Sequence, residues 1–219
     1  MLLTKQKVFV VGKKHFLLLD GQHEIEIATT VPKKGVGNKV VIICHPHPLH
    51  GGTMDNKVVT TLMRTFNQLN FKTVRFNFRG VGASTGEHAK GIGEAEDLVE
   101  LLDWVHQVLP DDEIWLAGFS FGAYVAYRVA TLSRSKDLIK RLILVAPPVT
   151  YPEFATLPEP VMPWWVIQGE NDEVIDSDSV LAWLKTKEKA AHLIRMPVTS
   201  HFFHGRLVDL KNELIKAFQ

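Results

Sequence analysis

The stretch with the most chemistry in it is Asp112–Gly122, DEIWLAGFSFG. A polar corner, Asp111-Asp112, leads into an apolar run, Ile114-Trp115-Leu116-Ala117. Gly118-Phe119-Ser120-Phe121-Gly122 follows, a G-x-S-x-G pattern, and then Ala123–Ala130, rich in helix formers. A strand that turns at once into a helix, with serine at the corner, is the setting in which this pattern makes a nucleophile elbow. So tight a turn requires small residues on both flanks. It also holds the hydroxyl at the amino end of the helix, where the Phe121 N–H and the helix dipole are placed to stabilise an oxyanion. The bland alternative is an ordinary turn with a solvent-capped serine.

A serine hydroxyl is a poor nucleophile at neutral pH and needs a base. Imidazole suits, because it titrates near working pH, and a carboxylate is needed to orient it and stabilise the imidazolium. Two further segments supply these types. Ile167-Gln168-Gly169-Glu170-Asn171-Asp172 offers Asp172, with Glu170, Glu173 and Asp176 as rivals. Met196-Pro197-Val198-Thr199-Ser200-His201 offers His201, with His204 as a rival. The candidate set, in chain order, is Ser120, Asp172 and His201.

These residues need elements to position them. Lys7–Val11 and Glu24–Thr30 read as two early strands joined across a turn at Gly21. Lys39–Cys44, Thr73–Phe78, the run before Ser120, Arg141–Ala146, Trp164–Gln168 and His192–Met196 read as further strands. Met54–Leu69, Gly93–Leu109, the segment from Phe121 to about Leu132, Ser177–Thr186 and Leu207–Phe218 read as helices with one apolar face. Strands apolar on both faces, alternating with amphipathic helices, predict a mostly parallel sheet covered on both sides. In such a sheet the site lies beyond the carboxyl ends of the strands. Ser120, Asp172 and His201 each follow a strand.

Composition narrows the function classes. The chain has 219 residues, 46% hydrophobic and 22% charged, as in ordinary globular domains. Its net charge of +1 comes from well-spread residues, which argues against nucleic acid as a partner. No run of 18 apolar residues is present, so no membrane span is expected. The N-terminal MLLTKQKVFVVGKK lacks the apolar core of a secretory signal. The one cysteine, Cys44, allows no disulfide framework, which fits a reducing, cytoplasmic setting.

The chain resembles the α/β-hydrolase superfamily, most closely the small capless bacterial hydrolases related to dienelactone hydrolases and prolyl-peptidase-like esterases. The resemblance rests on CHPHPLHGGTMDNKVV (Cys44–Val59), FNFRGVGASTGEH (Phe76–His88), GEAEDL (Gly93–Leu98), GFSFGA, QGENDEVI (Gln168–Ile175) and SHFFHG (Ser200–Gly205). The order nucleophile, acid, base is also the one that this superfamily uses. The resemblance implies a single α/β-hydrolase domain over residues 1–219, with a mostly parallel eight-stranded sheet, helices on both faces and no cap. It implies a serine-esterase-type reaction and supplies no substrate. The proline-rich segment Pro147–Pro163 is too short and too broken for a helical lid, so a carboxylesterase for small short-acyl esters or thioesters is expected, with no cofactor, as a monomer or homodimer. The resemblance places a second oxyanion donor in the loop after the third strand. There Pro46 and Pro48 have no N–H, which leaves His47, with Leu49 as the rival. Leu49 and Tyr151 are candidate substrate contacts.

The same sequence admits three other readings. The His45-Pro-His47-Pro-Leu49-His50 run is similar to a metallohydrolase H-x-H-x-D-H set and would bind zinc, but Leu49 stands where the bridging aspartate belongs. A catalytically idle hydrolase fold used as a binding module is the second. The Arg79–Gly86 segment is superficially like a dinucleotide loop, but its last glycine comes one residue late. It reads as a structural loop, with Glu94 and Asp97 bracing the helix that follows.

Overall fold

The computed structural model describes residues 9–12, 14–19, 23–33, 35–187 and 191–219. Among them, eight strands form one sheet. In chain order these are β1 (Lys14–Leu19), β2 (His23–Thr30), β3 (Lys39–Cys44), β4 (Lys72–Phe76), β5 (Glu113–Phe119), β6 (Ile139–Val145), β7 (Trp164–Gly169) and β8 (His192–Met196). The helices are α1 (Lys57–Gln68), α2 (Ile92–Val108), α3 (Phe121–Leu132), a single turn α4 (Pro152–Ala155), α5 (Ser177–Lys185) and α6 (Leu207–Phe218). The strands lie in the order β1-β2-β4-β3-β5-β6-β7-β8. Pairing is antiparallel for β1 with β2 and β2 with β4, and parallel from β4 to β8.

The central parallel strands are largely buried on both faces because both are covered, whereas the edge strand β8 is mostly not. α1 and α6 press Val58, Leu62, Phe66, Leu210 and Leu214 onto Val41, Ile43, Trp115 and Ile143. α2, α3 and α5 cover the opposite face, burying Leu98, Leu101, Val125, Val180 and Trp183 against Val40, Ile42, Leu116 and Leu142. Each such aliphatic or aromatic side chain contributes about 1.5–3 kcal/mol when taken fully from water. Packing of this kind, more than helix propensity, stabilises 12-residue helices such as α1 and α3.

Two expectations need correction. The first strand of the sheet is Lys14–Leu19, not Lys7–Val11. Leu17 and Leu19 point inward from it, while Phe9 stacks on Trp104 at 6.2 Å outside any strand; residues 7, 8 and Gly21 lie outside the described set. α1 begins at Lys57 rather than Met54, because Asn56 caps it through Oδ1 to the Val58 N–H at 2.8 Å. Met54 instead lies buried before the cap, its N–H bonded to Asn77 Oδ1. The proline-rich segment between β6 and β7 carries only the one-turn α4, so no helical cap stands over the sheet.

From β3 the chain passes through α1 to β4 on one side, and from β4 it returns through α2 to β5 on the other. The carboxyl ends of β3 and β5 are therefore the switch point, where a crevice opens in sheets of this kind. At the end of β5 the backbone is crowded. A Cβ on Gly118 would lie 2.2 Å from the Gly122 carbonyl oxygen, and one on Gly122 would lie 2.5 Å from the carbonyl oxygens of Cys44 and His45. Gly118→Ala is expected to cost about 1–3 kcal/mol through overpacking, a fall in Tm of roughly 2–12 °C for a domain of this size. A thermal melt unchanged within a degree would mean that the turn is looser than described.

Candidate active site

Ser120 sits at φ 54°, ψ −120°, a left-handed backbone that non-glycine residues rarely adopt. Its N–H donates to the Val145 carbonyl at 2.9 Å, and its own carbonyl accepts from the Ala123 N–H at 2.8 Å. The side chain thus stands at the amino end of α3, where helix N–H groups lack intrahelical acceptors. Its Oγ lies 3.1 Å from His201 Nε2, and His201 Nδ1 lies 2.9 and 3.1 Å from Asp172 Oδ2 and Oδ1. The three residues selected from sequence are brought together in the expected order.

The matching carboxylate is well supplied with donors. Asp172 Oδ1 accepts from the Val174 N–H at 2.9 Å and the Ile175 N–H at 2.7 Å, and Oδ2 accepts from Gln168 Nε2 at 3.2 Å. Burial pushes its pKa up. The contact with His201 and the two amides more than offset that, and the carboxyl is held below its ordinary value. Asp172 is therefore ionised at neutral pH and can orient an imidazole with Nδ1–H toward it and Nε2 toward Ser120.

Each rival has other work. Glu170 pairs with Arg195 at 2.8 Å. Asp176 caps α5, accepting from the Ser179 N–H and hydroxyl at 2.9 and 2.8 Å. Glu173 accepts the backbone N–H of His201 at 3.0 Å, so it ties the two loops without touching the ring. His204 is exposed and stacks on Phe202 at 5.8 Å.

A family model described as alpha/beta hydrolase fold matches residues 39–168, more than half of the chain. The chain belongs to the α/β hydrolase fold family. The matched range takes in Ser120 and ends before Asp172 and His201. A solved α/β serine hydrolase homologue from Coxiella burnetii is 44% identical, with a TM-score of 0.91 over 96% of this chain and 99% of that one. A serine hydrolase from Xanthomonas campestris, described as lacking a lid, is 42% identical with a TM-score of 0.85 over 94% of each chain. An uncharacterized protein of Rickettsia prowazekii is 36% identical over 146 residues, 64% of this chain. The match spans 60% of that relative's length.

The loop after β3 lies across from Ser120. Residues Pro48–His50 make a 3-10 turn capped by His47, whose Nδ1 accepts the Leu49 N–H at 3.2 Å. The His50 and Gly52 N–H groups donate to the His47 carbonyl, and the Gly51 N–H to that of Pro48. Of the two rival oxyanion donors, Leu49 therefore has its amide engaged, and the turn leaves that of His47. The ring of His47 lies 4.9 Å from that of Phe121. Leu49 itself is exposed, and Tyr151 is half-buried with its ring 5.9 Å from Tyr124.

His45 does not fit a zinc ligand. Its Nε2 accepts the Phe78 N–H at 3.0 Å, so Nδ1 carries the proton and donates to the Pro46 carbonyl at 2.7 Å. Both nitrogens are engaged, and the buried ring braces the β3 loop against the end of β4.

Sequence reasoning gave Gln168 no role and considered Glu173 only as a rival acid. The signal for Gln168 was a lone amide ending an otherwise apolar strand, WWVIQG. Nothing in the sequence separates Glu173 from its acidic neighbours, because its partner is a backbone N–H 28 residues away.

Burial pushes the His45 pKa down to about 4. Unfolded, it would titrate near 6.5. As pH falls, the unfolded chain takes up this proton first, so stability is lost between about pH 6.5 and 4. The loss is about 3 kcal/mol at 1.36 kcal/mol per unit. Urea unfolding from pH 7 to 4 should show the decline in the parent. His45→Asn should start lower and decline less over the same range. Parallel declines in the two proteins would refute the assignment.

Proposed function

We propose that this hydrolase is a serine carboxylesterase acting on small, short-acyl esters or thioesters through an acyl-enzyme on Ser120. The observation that carries the reading is the contact chain Asp172–His201–Ser120, at 2.9 and 3.1 Å, at the switch point of the sheet. His201 Nε2 takes the hydroxyl proton as Oγ attacks the ester carbonyl. Asp172 stabilises the imidazolium through Nδ1. The carbonyl oxygen becomes an oxyanion and receives the N–H groups of Phe121 and His47, each such donor being worth about 10²–10³ in rate. His201 then protonates the leaving alcohol or thiol, and the C–O or C–S bond breaks. Water repeats the sequence on the acyl-enzyme, returning the acid and free Ser120. A fluorophosphonate should label Ser120. Ser120→Ala should lose roughly 3 or more decades of kcat on p-nitrophenyl acetate, the scale of removing a triad member. Full activity in that variant would end the reading.

The preference for small substrates follows from what surrounds the crevice. Leu49, Val174 and Phe202, on the loops after β3, β7 and β8, are exposed apolar side chains. Together with Tyr151 they offer contact to an acyl group, but with no cap above them they leave it half in water. Each buried CH₂ is worth about 0.8 kcal/mol, and an open cleft forfeits much of that. The kcat/KM for p-nitrophenyl esters should peak between acetate and butyrate and fall by octanoate. A peak at palmitate would require a long apolar pocket and refute the small-substrate reading.

A further inference from the structure

A second carboxylate–imidazole pair lies on the oxyanion side of the crevice, and the acyl-enzyme mechanism as written does not use it. Glu94, in the first turn of α2, is fully buried. Its Oε1 accepts the Ala89 N–H at 2.9 Å, and its Oε2 accepts the Gly91 N–H at 2.7 Å. These bonds close the loop onto the helix and account for a capping role. They do not account for His88, whose Nδ1 lies 2.7 Å from the same Oε1 in close packing, without the alignment of a hydrogen bond.

The His88 ring touches two others. Its centroid is 5.1 Å from that of His47 and 5.5 Å from that of Phe121, and His47 and Phe121 are 4.9 Å apart. The three rings form a closed triangle. Two of its corners are the residues whose backbone N–H groups serve as oxyanion donors in the reading above. They arrive on different elements, one on the turn after β3 and one at the start of α3. No backbone hydrogen bond runs directly between His47 and Phe121 among the described residues. The two segments already meet through backbone beside the donors, where Gly122 packs against the Cys44 and His45 carbonyls; between the donor residues themselves the link is side-chain packing, and His88 is its third member. The loop that carries His88 is itself pressed onto α3, since a Cβ on Gly91 would lie 2.3 Å from Tyr124 Cε1.

We propose that His88, packed against the buried carboxylate of Glu94, is a positioning residue for the oxyanion hole. The pair keeps the rings of His47 and Phe121 in register and so sets the spacing of their two backbone N–H groups. This rests on the esterase reading. Its consequence is specific to the transition state. The substrate carbonyl gains little from the hole, whereas the oxyanion depends on both donors, so loosening the triangle lowers kcat and leaves KM nearly unchanged. A helix-capping role alone belongs to Glu94 and survives the loss of His88.

The test compares His88→Ala and Glu94→Gln with the parent, using p-nitrophenyl acetate and a short-chain trifluoromethyl ketone, whose serine adduct places an oxyanion in the hole. For His88→Ala, kcat should fall by about 10- to 100-fold, the scale of misplacing a group by about an ångström. KM should stay within about threefold, and the ketone's inhibition constant should rise by the same factor as kcat falls. Glu94→Gln keeps an acceptor for one of the two loop amides, turns its NH₂ toward the other and removes the carboxylate beside His88; it should move the same two quantities in the same direction. It stands in if the alanine variant does not fold. A folded variant with kcat within threefold of the parent would overturn the proposal, as would a loss confined to KM or an unchanged affinity for the ketone. A parent protein that neither hydrolyses the ester nor is labelled at Ser120 would overturn the esterase reading and this proposal together.

Discussion

The structure depends on one close approach of backbone to backbone. At Gly118 and Gly122 the end of β5 and the start of α3 come so near each other, and so near the end of β3, that neither position has room for a side-chain carbon. Ser120 between them is held in a conformation that costs on the order of 1–3 kcal/mol, and the bonds from its N–H and carbonyl keep it there. That arrangement aims Oγ away from the sheet and sets the Phe121 amide at a helix end. Every other part of the site is placed relative to it.

The other two members of the set need a different kind of support, because they lie on loops rather than at a strand–helix corner. The loop after β8 departs from ordinary backbone at Val198 and Phe203, with φ of 50° and 54° on either side of His201. It holds this shape because the loop after β7 grips it. The Asn171 N–H donates to the Thr199 carbonyl, and the Glu173 carboxylate accepts the His201 N–H. Phe203 is buried against Phe119 from below, with ring centroids 6.2 Å apart. Asp172 tolerates its own burial for a related reason, since four donors converge on its two oxygens. A carboxylate with fewer partners there would be neutralised by desolvation and would orient nothing.

The histidines show how one residue type is sorted by its surroundings. His45 is buried, kept neutral and used as a brace between two loops. His47 caps a turn with its ring while its backbone N–H is left to the crevice. His88 packs with Nδ1 2.7 Å from a carboxylate oxygen, without hydrogen-bond alignment. His201 is hydrogen-bonded to a carboxylate and has its second nitrogen beside a hydroxyl. Nothing in the one-letter code distinguishes these roles; they differ in which polar atom the fold brings close to which ring nitrogen.

By itself the sequence determined the architecture and a short set of chemical residues, in which Asp172 and His201 still had rivals. Apolar runs of strand length and helices with one apolar face are local patterns, and they dictate a covered parallel sheet wherever the chain folds. Ser120, Asp172 and His201 were legible because each follows such a strand, and because glycine at 118 and 122 marks a turn with no space for side chains. The first strand lies at Lys14–Leu19 rather than Lys7–Val11 because both segments carry a short apolar run, and pairing with β2 decides between them. Only the tertiary structure separated Asp172 from Glu170, Glu173 and Asp176, since each carboxylate was assigned by a partner brought from elsewhere in the fold or by its register to a helix end. The same holds for the parts played by His45, Gln168 and the His88–Glu94 pair. Periodicity is set by neighbours in the chain and survives in the sequence. A hydrogen bond between residues 28 or 33 positions apart is set by how whole elements pack, and no local pattern records it.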